Sequence, residues 1–246
     1  MINYVLIFLI MISHLSFAGE SPKKKNDATY ITEKTSRSLS KNEKKSRNAA
    51  VKIFNGGHGS GTALEFQDTS LVLTAQHVVD NIPLYAPITV ITPSGEFKIG
   101  YVVYKDKLSD IAFLYLKEKL KSRIAVNYFP SYKMKELPKI GSSIIYSGYP
   151  SSLNLLSIRG HVAGFEKDSL GRKIIMLNTF GWFGCSGSGV FSSKGDLIGV
   201  LFGVSIDQGQ VLDNIIWVSP IGNVDNYVLM KNICKKYTAK FCPKKP

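Results

Sequence analysis

From Ala49 onward the sequence predicts an all-β chain: two packed six-stranded antiparallel β-barrels with a short C-terminal helix. Three observations predict it. Short runs rich in Val, Ile, Phe and Tyr recur between clusters of Gly, Pro, Asn and Ser, a spacing typical of antiparallel strands and not of strands alternating with helices. A strand-poor segment, residues 117–141, divides these runs into two groups of about six, as two barrels joined by a connector require. Finally, GNVDNYVLMKNICKKY places Val224, Tyr227, Val228, Lys231 and Ile233 near one helical stripe, with basic residues in the last turn.

Taken in order, MINYVLIFLIMISHLSFAGE holds an apolar run followed by Ser16-Phe17-Ala18, so residues 1–18 read as a signal peptide cut after Ala18. The run is too short for a stable membrane span. Residues 19–48, rich in Lys, Ser, Thr and Asn, cannot bury enough apolar surface to offset their ordering entropy and read as a basic, disordered linker or propeptide. The domain proper runs over 49–236. Its first barrel, about 49–125, is built from AVKIF, TALEF, SLVLTA, ITVIT, EFKIGYVVY and DIAFLYL. The second, about 140–220, is built from SSIIYSGY, LLSIRGHVAGF, RKIIML, GVFS, DLIGVLFGVSI and NIIWVS. Residues 237–246 are a basic tail. The GGHGSGT run at 56–62 precedes a strand instead of opening a helix, which predicts a tight turn and not a phosphate loop.

The 246-residue chain is 44% apolar, which excludes a wholly disordered protein, and much of its formal charge of +13 lies at the two ends. No HExxH, paired CxxC or GxxxxGK pattern occurs, so no metal and no organic cofactor is expected. Behind a signal peptide, cysteines enter an oxidising compartment. Cys234 and Cys242 could close a short loop, worth about 2 to 3 kcal/mol, although pairings with Cys185 compete.

The residues able to do chemistry are few. His14 falls in the signal peptide, His58 reads as a solvated turn residue, and His161 as a structural strand histidine. His77 ends the apolar strand SLVLTAQH, where a side chain is rigidly held yet reachable. An imidazole base needs a carboxylate to fix its tautomer. Asp110, in KLSDIAFLYL, stands before an apolar strand where a carboxylate is expensive to bury without a partner. Asp106, among lysines, reads as exposed. In GWFGCSGSGVF, the order Gly184-Cys185-Ser186-Gly187 lets the backbone turn sharply and offer two N–H groups beside one hydroxyl. Every histidine precedes Ser186, leaving the order His77, Asp110, Ser186.

With these residues in place, the chain resembles the trypsin-like, or chymotrypsin-fold, serine peptidases over about 49–236. GSGTALEF is similar to the family's glycine turn and strand, LTAQHVV to its Thr-Ala-x-His motif, SDIAFLYL to its Asp-Ile-Ala-Leu-Leu motif, and GCSGSGVF to its Gly-Asp/Asn-Ser-Gly motif. GYP at 148–150 is similar to the bacterial secreted branch that includes glutamyl endopeptidases and periplasmic stress proteases. The resemblance implies that Ser186 attacks the scissile carbonyl, His77 relays its proton, Asp110 orients His77, and the N–H groups of Gly184 and Ser186 hold the oxyanion. It places Thr179, Phe180, Phe202, Gly203 and Val204 at the substrate pocket. With no acidic residue at the pocket position that trypsin-like specificity uses, it implies an apolar or small side chain before the cut bond.

One departure stands out: Cys185 replaces the usual Asp or Asn, so an activation salt bridge from that position is ruled out. A thiol nucleophile at 185 would be followed by Ser186 and lose the motif. A secreted or periplasmic serine endopeptidase is therefore the leading expectation, acting on protein or peptide substrates. A weak polyanion contact through the basic tail is expected besides, with no specific nucleic acid. The alternatives are an inactive peptidase-fold binding protein and an esterase using the same residues.

Overall fold

The computed structural model describes residues 39–126, 129, 137–151, 153–168 and 170–242. The expected signal peptide, linker residues 19–38 and the tail's last residues, 243–246, lie outside the described residues.

The first barrel comprises β1 (Ala50–Asn55), β2 (Gly57–Phe66), β3 (Thr69–Thr74), β4 (Pro87–Ile91), β5 (Phe97–Asp106) and β6 (Ile111–Leu116), in the order β1-β4-β5-β6-β3-β2, closed by a β1–β2 pairing. Strands β3 and β6 are apolar runs without alternation because almost every residue in them is buried. The second barrel comprises β8 (Ser143–Gly148), β9 (Leu156–Lys167), β10 (Lys173–Asn178), β11 (Gly189–Ser192), β12 (Leu197–Asp207) and β13 (Gln210–Pro220), closed in the order β10-β13-β12-β11-β8-β9. Each barrel has its own core, the first around Phe66, Phe113 and Leu73, the second around Tyr146, Ile175 and Val218. Closure removes the open edges that would otherwise invite pairing with other chains.

Several expectations are corrected. The strand-poor connector contributes a short strand, β7 (Ile124–Val126), which runs parallel to β2 from Leu64 to Phe66, past the end of β1. The GGHGSGT run is strand β2 itself, and only Gly56, at φ 70°, makes the turn. The linker does not extend to residue 48: α1 (Lys41–Ala49) precedes β1, its N-terminus closed by a capping box in which Ser40 and Glu43 bond each other's backbone N–H. Polar composition hid this helix, because it is anchored by polar contacts. Asn42 Nδ2 donates to Lys194 O at 2.7 Å, and buried Arg47 donates to Leu155 O at 3.0 Å and Ser157 Oγ at 2.9 Å.

The terminal helix is present as α2 (Asn226–Lys236), capped by Asp225, whose side chain accepts from Val228 N. Its buried residues are Leu229 and Ile233, whereas Tyr227 is 72% exposed, so the inward face lies beside the expected stripe. A disulfide joins Cys234 to Cys242, leaving Cys185 free and buried. Among the described residues no helix is long and apolar enough to cross a membrane.

Candidate active site

His77 lies in a 3-10 turn, Gln76–Val79, directly after β3. Asp110 lies at the entry to β6 with φ 52°, a left-handed conformation that aspartate tolerates better than most residues. The two strands are neighbours, Thr74 pairing with Ala112, so their ends carry His77 and Asp110 to one edge of the barrel. There the carboxylate accepts two bonds from one residue: Oδ1 from the His77 backbone N–H at 2.8 Å, and Oδ2 from Nδ1 at 2.7 Å. Gln76 N donates to Asp110 O at 3.1 Å, completing a two-way splice between the turn and the entry to β6. Asp110 Oδ2 thereby fixes the tautomer with Nδ1–H, leaving Nε2 as the ring's basic nitrogen. Lys105 Nζ donates to Asp80 O at 2.8 Å and Ile82 O at 3.0 Å, holding the chain that leaves the turn.

The Gly-Cys-Ser-Gly segment enters from the second barrel, between β10 and β11. Its backbone can be followed peptide by peptide, since buried polar groups require partners. Phe183 O accepts from Ser151 N at 2.6 Å; Cys185 N donates to Trp182 O at 3.0 Å; Cys185 O accepts from Ser188 N at 3.0 Å. Ser186 O accepts from Ser60 N at 2.8 Å, and Gly187 N donates to Leu201 O at 2.8 Å. Gly184 O accepts from Ser60 Oγ at 2.7 Å. Within the Gly-Cys-Ser-Gly segment itself, residues 184–187, the N–H groups of Gly184 and Ser186 donate to no described residue. Positive φ at Gly184 (93°) and Gly187 (92°) makes both bends possible, and a side chain at either would also collide with neighbouring backbone.

The segment meets the first barrel closely. Gly187 packs against Ser60 O, Thr74 Oγ1 and Ala75 N, two residues before His77. Ser186 is partly exposed, and its hydroxyl makes no hydrogen bond to a described residue. Cys185, by contrast, is fully buried beside Tyr146, whose hydroxyl lies 3.8 Å from its sulfur. Burial pushes the thiol pKa up, the reverse of what a nucleophilic thiolate needs.

A family model for the trypsin-like peptidase domain matches residues 59–200, more than half of the chain. The chain belongs to the trypsin-like peptidase family. Solved structures share the fold of this peptidase at low identity. An inactive form of Rv3671c from M. tuberculosis is 19% identical with a TM-score of 0.63, over 83% of this chain and 96% of that one. The HtrA-type protease AlgW with tripeptide is 19% identical at TM-score 0.61, over 78% of this chain and 62% of that one. The serine endoprotease from Yersinia pestis is 20% identical at TM-score 0.57, over 80% and 66%. The chain thus spans about three fifths of the HtrA-type protease's length.

Other expected residues of the peptidase fall differently. Thr179 is buried, its hydroxyl donating to Arg159 O at 3.0 Å, so it braces β9. Phe180 is 42% exposed shortly before the Gly-Cys-Ser-Gly segment; Phe202 is partly buried against Trp217, and Gly203 and Val204 follow it on β12. His161 is exposed, a correction to the structural role expected for it. His58 is not a solvated turn residue: it is half-buried on β2, against Gly184, with Nε2 3.2 Å from Tyr149 O. Burial, assisted by Lys52, lowers its pKa, against the bond to Tyr149 O, which raises it. The residues the sequence reading passed over are those that hold the segment in place, Ser60 and His58; alternate positions 58, 60 and 62 of one strand were the available signal.

Proposed function

We propose that this trypsin-like peptidase is a serine endopeptidase, in which Ser186 is the nucleophile, His77 its general base and then acid, Asp110 the orienting carboxylate, and the N–H groups of Gly184 and Ser186 the oxyanion hole. The observation that carries the reading is the doubly bonded His77–Asp110 pair beside a turn whose two unpartnered amides flank Ser186. Ser186 Oγ adds to the scissile carbonyl while its proton passes to His77 Nε2. The carbonyl oxygen takes the negative charge, the imidazolium is stabilised by Asp110, and collapse gives an acyl-enzyme as the proton moves on to the leaving amine. Water, activated by His77 in turn, releases the acid product.

Each oxyanion donor contributes about 3 kcal/mol in well-studied enzymes, so the two amides carry a substantial part of the acceleration. The Cys234–Cys242 disulfide supports export to an oxidising compartment, periplasmic or extracellular, through the signal peptide at 1–18. Labelling of the purified mature protein with a fluorophosphonate probe tests the assignment. Label on wild type that disappears in Ser186→Ala supports it; absence of label on folded wild type overturns it.

A further inference from the structure

Ser60 is fully buried, yet its three polar atoms make four hydrogen bonds to three separate parts of the chain. Its O accepts from Thr74 Oγ1 at 2.8 Å, at the end of the strand that presents His77. Its N donates to Ser186 O at 2.8 Å. Its hydroxyl accepts from Tyr149 N at 2.9 Å, just beyond β8, and donates to Gly184 O at 2.7 Å. Two backbone bonds and one hydroxyl therefore tie the base's strand, the nucleophile and the oxyanion turn to a single residue of the first barrel.

The Gly184 carbonyl belongs to the Gly184–Cys185 peptide, which lies between the two unpartnered amides. The N–H of Gly184 lies in the preceding peptide, whose carbonyl, Phe183 O, is held by Ser151 N. The Gly184–Cys185 plane sets the torsion about the Gly184 Cα–C bond, so a turn of that plane changes the direction of the Gly184 N–H relative to that of Ser186. Cys185 N–H, bonded to Trp182 O, holds one edge of the plane, and Ser60 Oγ holds the other. We propose that Ser60 is a positioning residue: its hydroxyl locks the Gly184–Cys185 peptide so that both oxyanion donors converge on one point, and anchors that lock to Tyr149. The inference rests on the reading of Ser186 as nucleophile. Gly148 accommodates the arrangement, since a Cβ there would meet Ser188 Oγ and come within 3.0 Å of Ser60 Oγ.

The test compares wild type and Ser60→Ala in three readouts: steady-state hydrolysis of a peptide substrate, the pH profile of kcat/KM, and the rate of fluorophosphonate labelling. Expected are a fall in kcat of about 10- to 100-fold, a KM within about threefold of wild type, labelling slowed by a similar factor, and an acid limb that stays in place because the His77–Asp110 pair is untouched. Wild-type kcat in Ser60→Ala overturns the proposal, as does a loss accompanied by a displaced acid limb, which would put the effect on His77. If Ser60→Ala does not fold, Ser60→Cys keeps the shape with a weaker donor and carries the same comparison. Folded wild type that takes no label removes the nucleophile assignment and the Ser60 role with it. Equal labelling rates in wild type and the Ser60 variant remove the Ser60 role alone.

Discussion

Asp110 shows how much one side chain can settle. Both carboxylate oxygens are committed to His77, one to its backbone and one to its ring, so orientation and tautomer are fixed together. Asp110→Asn would keep the shape but offer an amide N–H to one of two donors, and the imidazole would turn or change tautomer. A fall in kcat of about 10⁴-fold is expected, with a thermal midpoint near wild type. Hydrolysis assays beside thermal melts check it, and activity within tenfold of wild type would deny Asp110 its role. Gly148 makes a second residue-scale prediction. Gly148→Ala drives a methyl group into Ser188 Oγ and close to Ser60 Oγ, beside the Cys185 backbone. Overpacking of this kind costs about 1 to 3 kcal/mol, and kcat should fall along with stability. Retention of both would show that the segment yields easily. His77, Asp110 and Ser186 were legible in the sequence as candidates because each sits at a strand end or in a glycine turn, signals confined to a few neighbouring residues. Ser60 was not, because its meaning lies in bonds to Tyr149 and Gly184, 89 and 124 positions away.

At the scale of elements, α1 is the most informative segment, because local composition and tertiary anchoring point in opposite directions. Its Ser40–Glu43 capping pattern was present in the sequence, but a helix this polar has no apolar stripe to announce a docking face. The docking is ionic instead: Glu43 meets Arg159 of β9 at 2.5 Å. The Arg159 guanidinium, followed by bonds from Ser40 N–H and hydroxyl, holds the Glu43 carboxyl down to about 2. A lowered native pKa means that the released segment takes up the proton more readily than the docked one. The stabilisation is therefore complete above about pH 4.5 and disappears as the pH falls toward about 2. The protection factors of amides 41–49, taken against the intrinsic rate at each pH, should fall across that window while the barrel strands stay protected. Glu43→Gln should show the lower protection already at neutral pH and lose the pH dependence. Protection that is flat down to pH 2 in wild type would mean that Arg47 and Asn42 hold the helix without the ion pair.

The whole molecule joins two barrels, and that division was readable because strand periodicity and the connector both report on local chain. Closure by β1 with β2 and the parallel addition of β7 were not readable, since pairing partners leave no trace in a strand's own alternation. The C-terminal strap adds a restraint of the same long-range kind. After α2 the chain crosses the first barrel, where Tyr237 stacks on Tyr115 at 4.0 Å between ring centres, Phe241 meets Phe66 edge-on at 6.0 Å, and Lys240 pairs with Asp68. The Cys234–Cys242 bond ties the far end of this strap back to the helix, closing a loop of eight residues' separation. The exposed Lys240 pair adds little, so the strap depends on its aromatic contacts and on the cross-link. By the loop-entropy relation the bond is worth about 2 to 3 kcal/mol. For a domain of this size, the double replacement Cys234→Ser with Cys242→Ser should lower the thermal midpoint by roughly 5 to 10 °C. Exchange should increase at 237–242 and around Phe66, while His77 and Ser186, held by the contact between barrels, keep their labelling rate at temperatures below the transition. An unchanged midpoint would assign the strap's hold to its aromatic rings alone. A lost labelling rate in protein that remains folded would show instead that the strap and the active site are one mechanical unit.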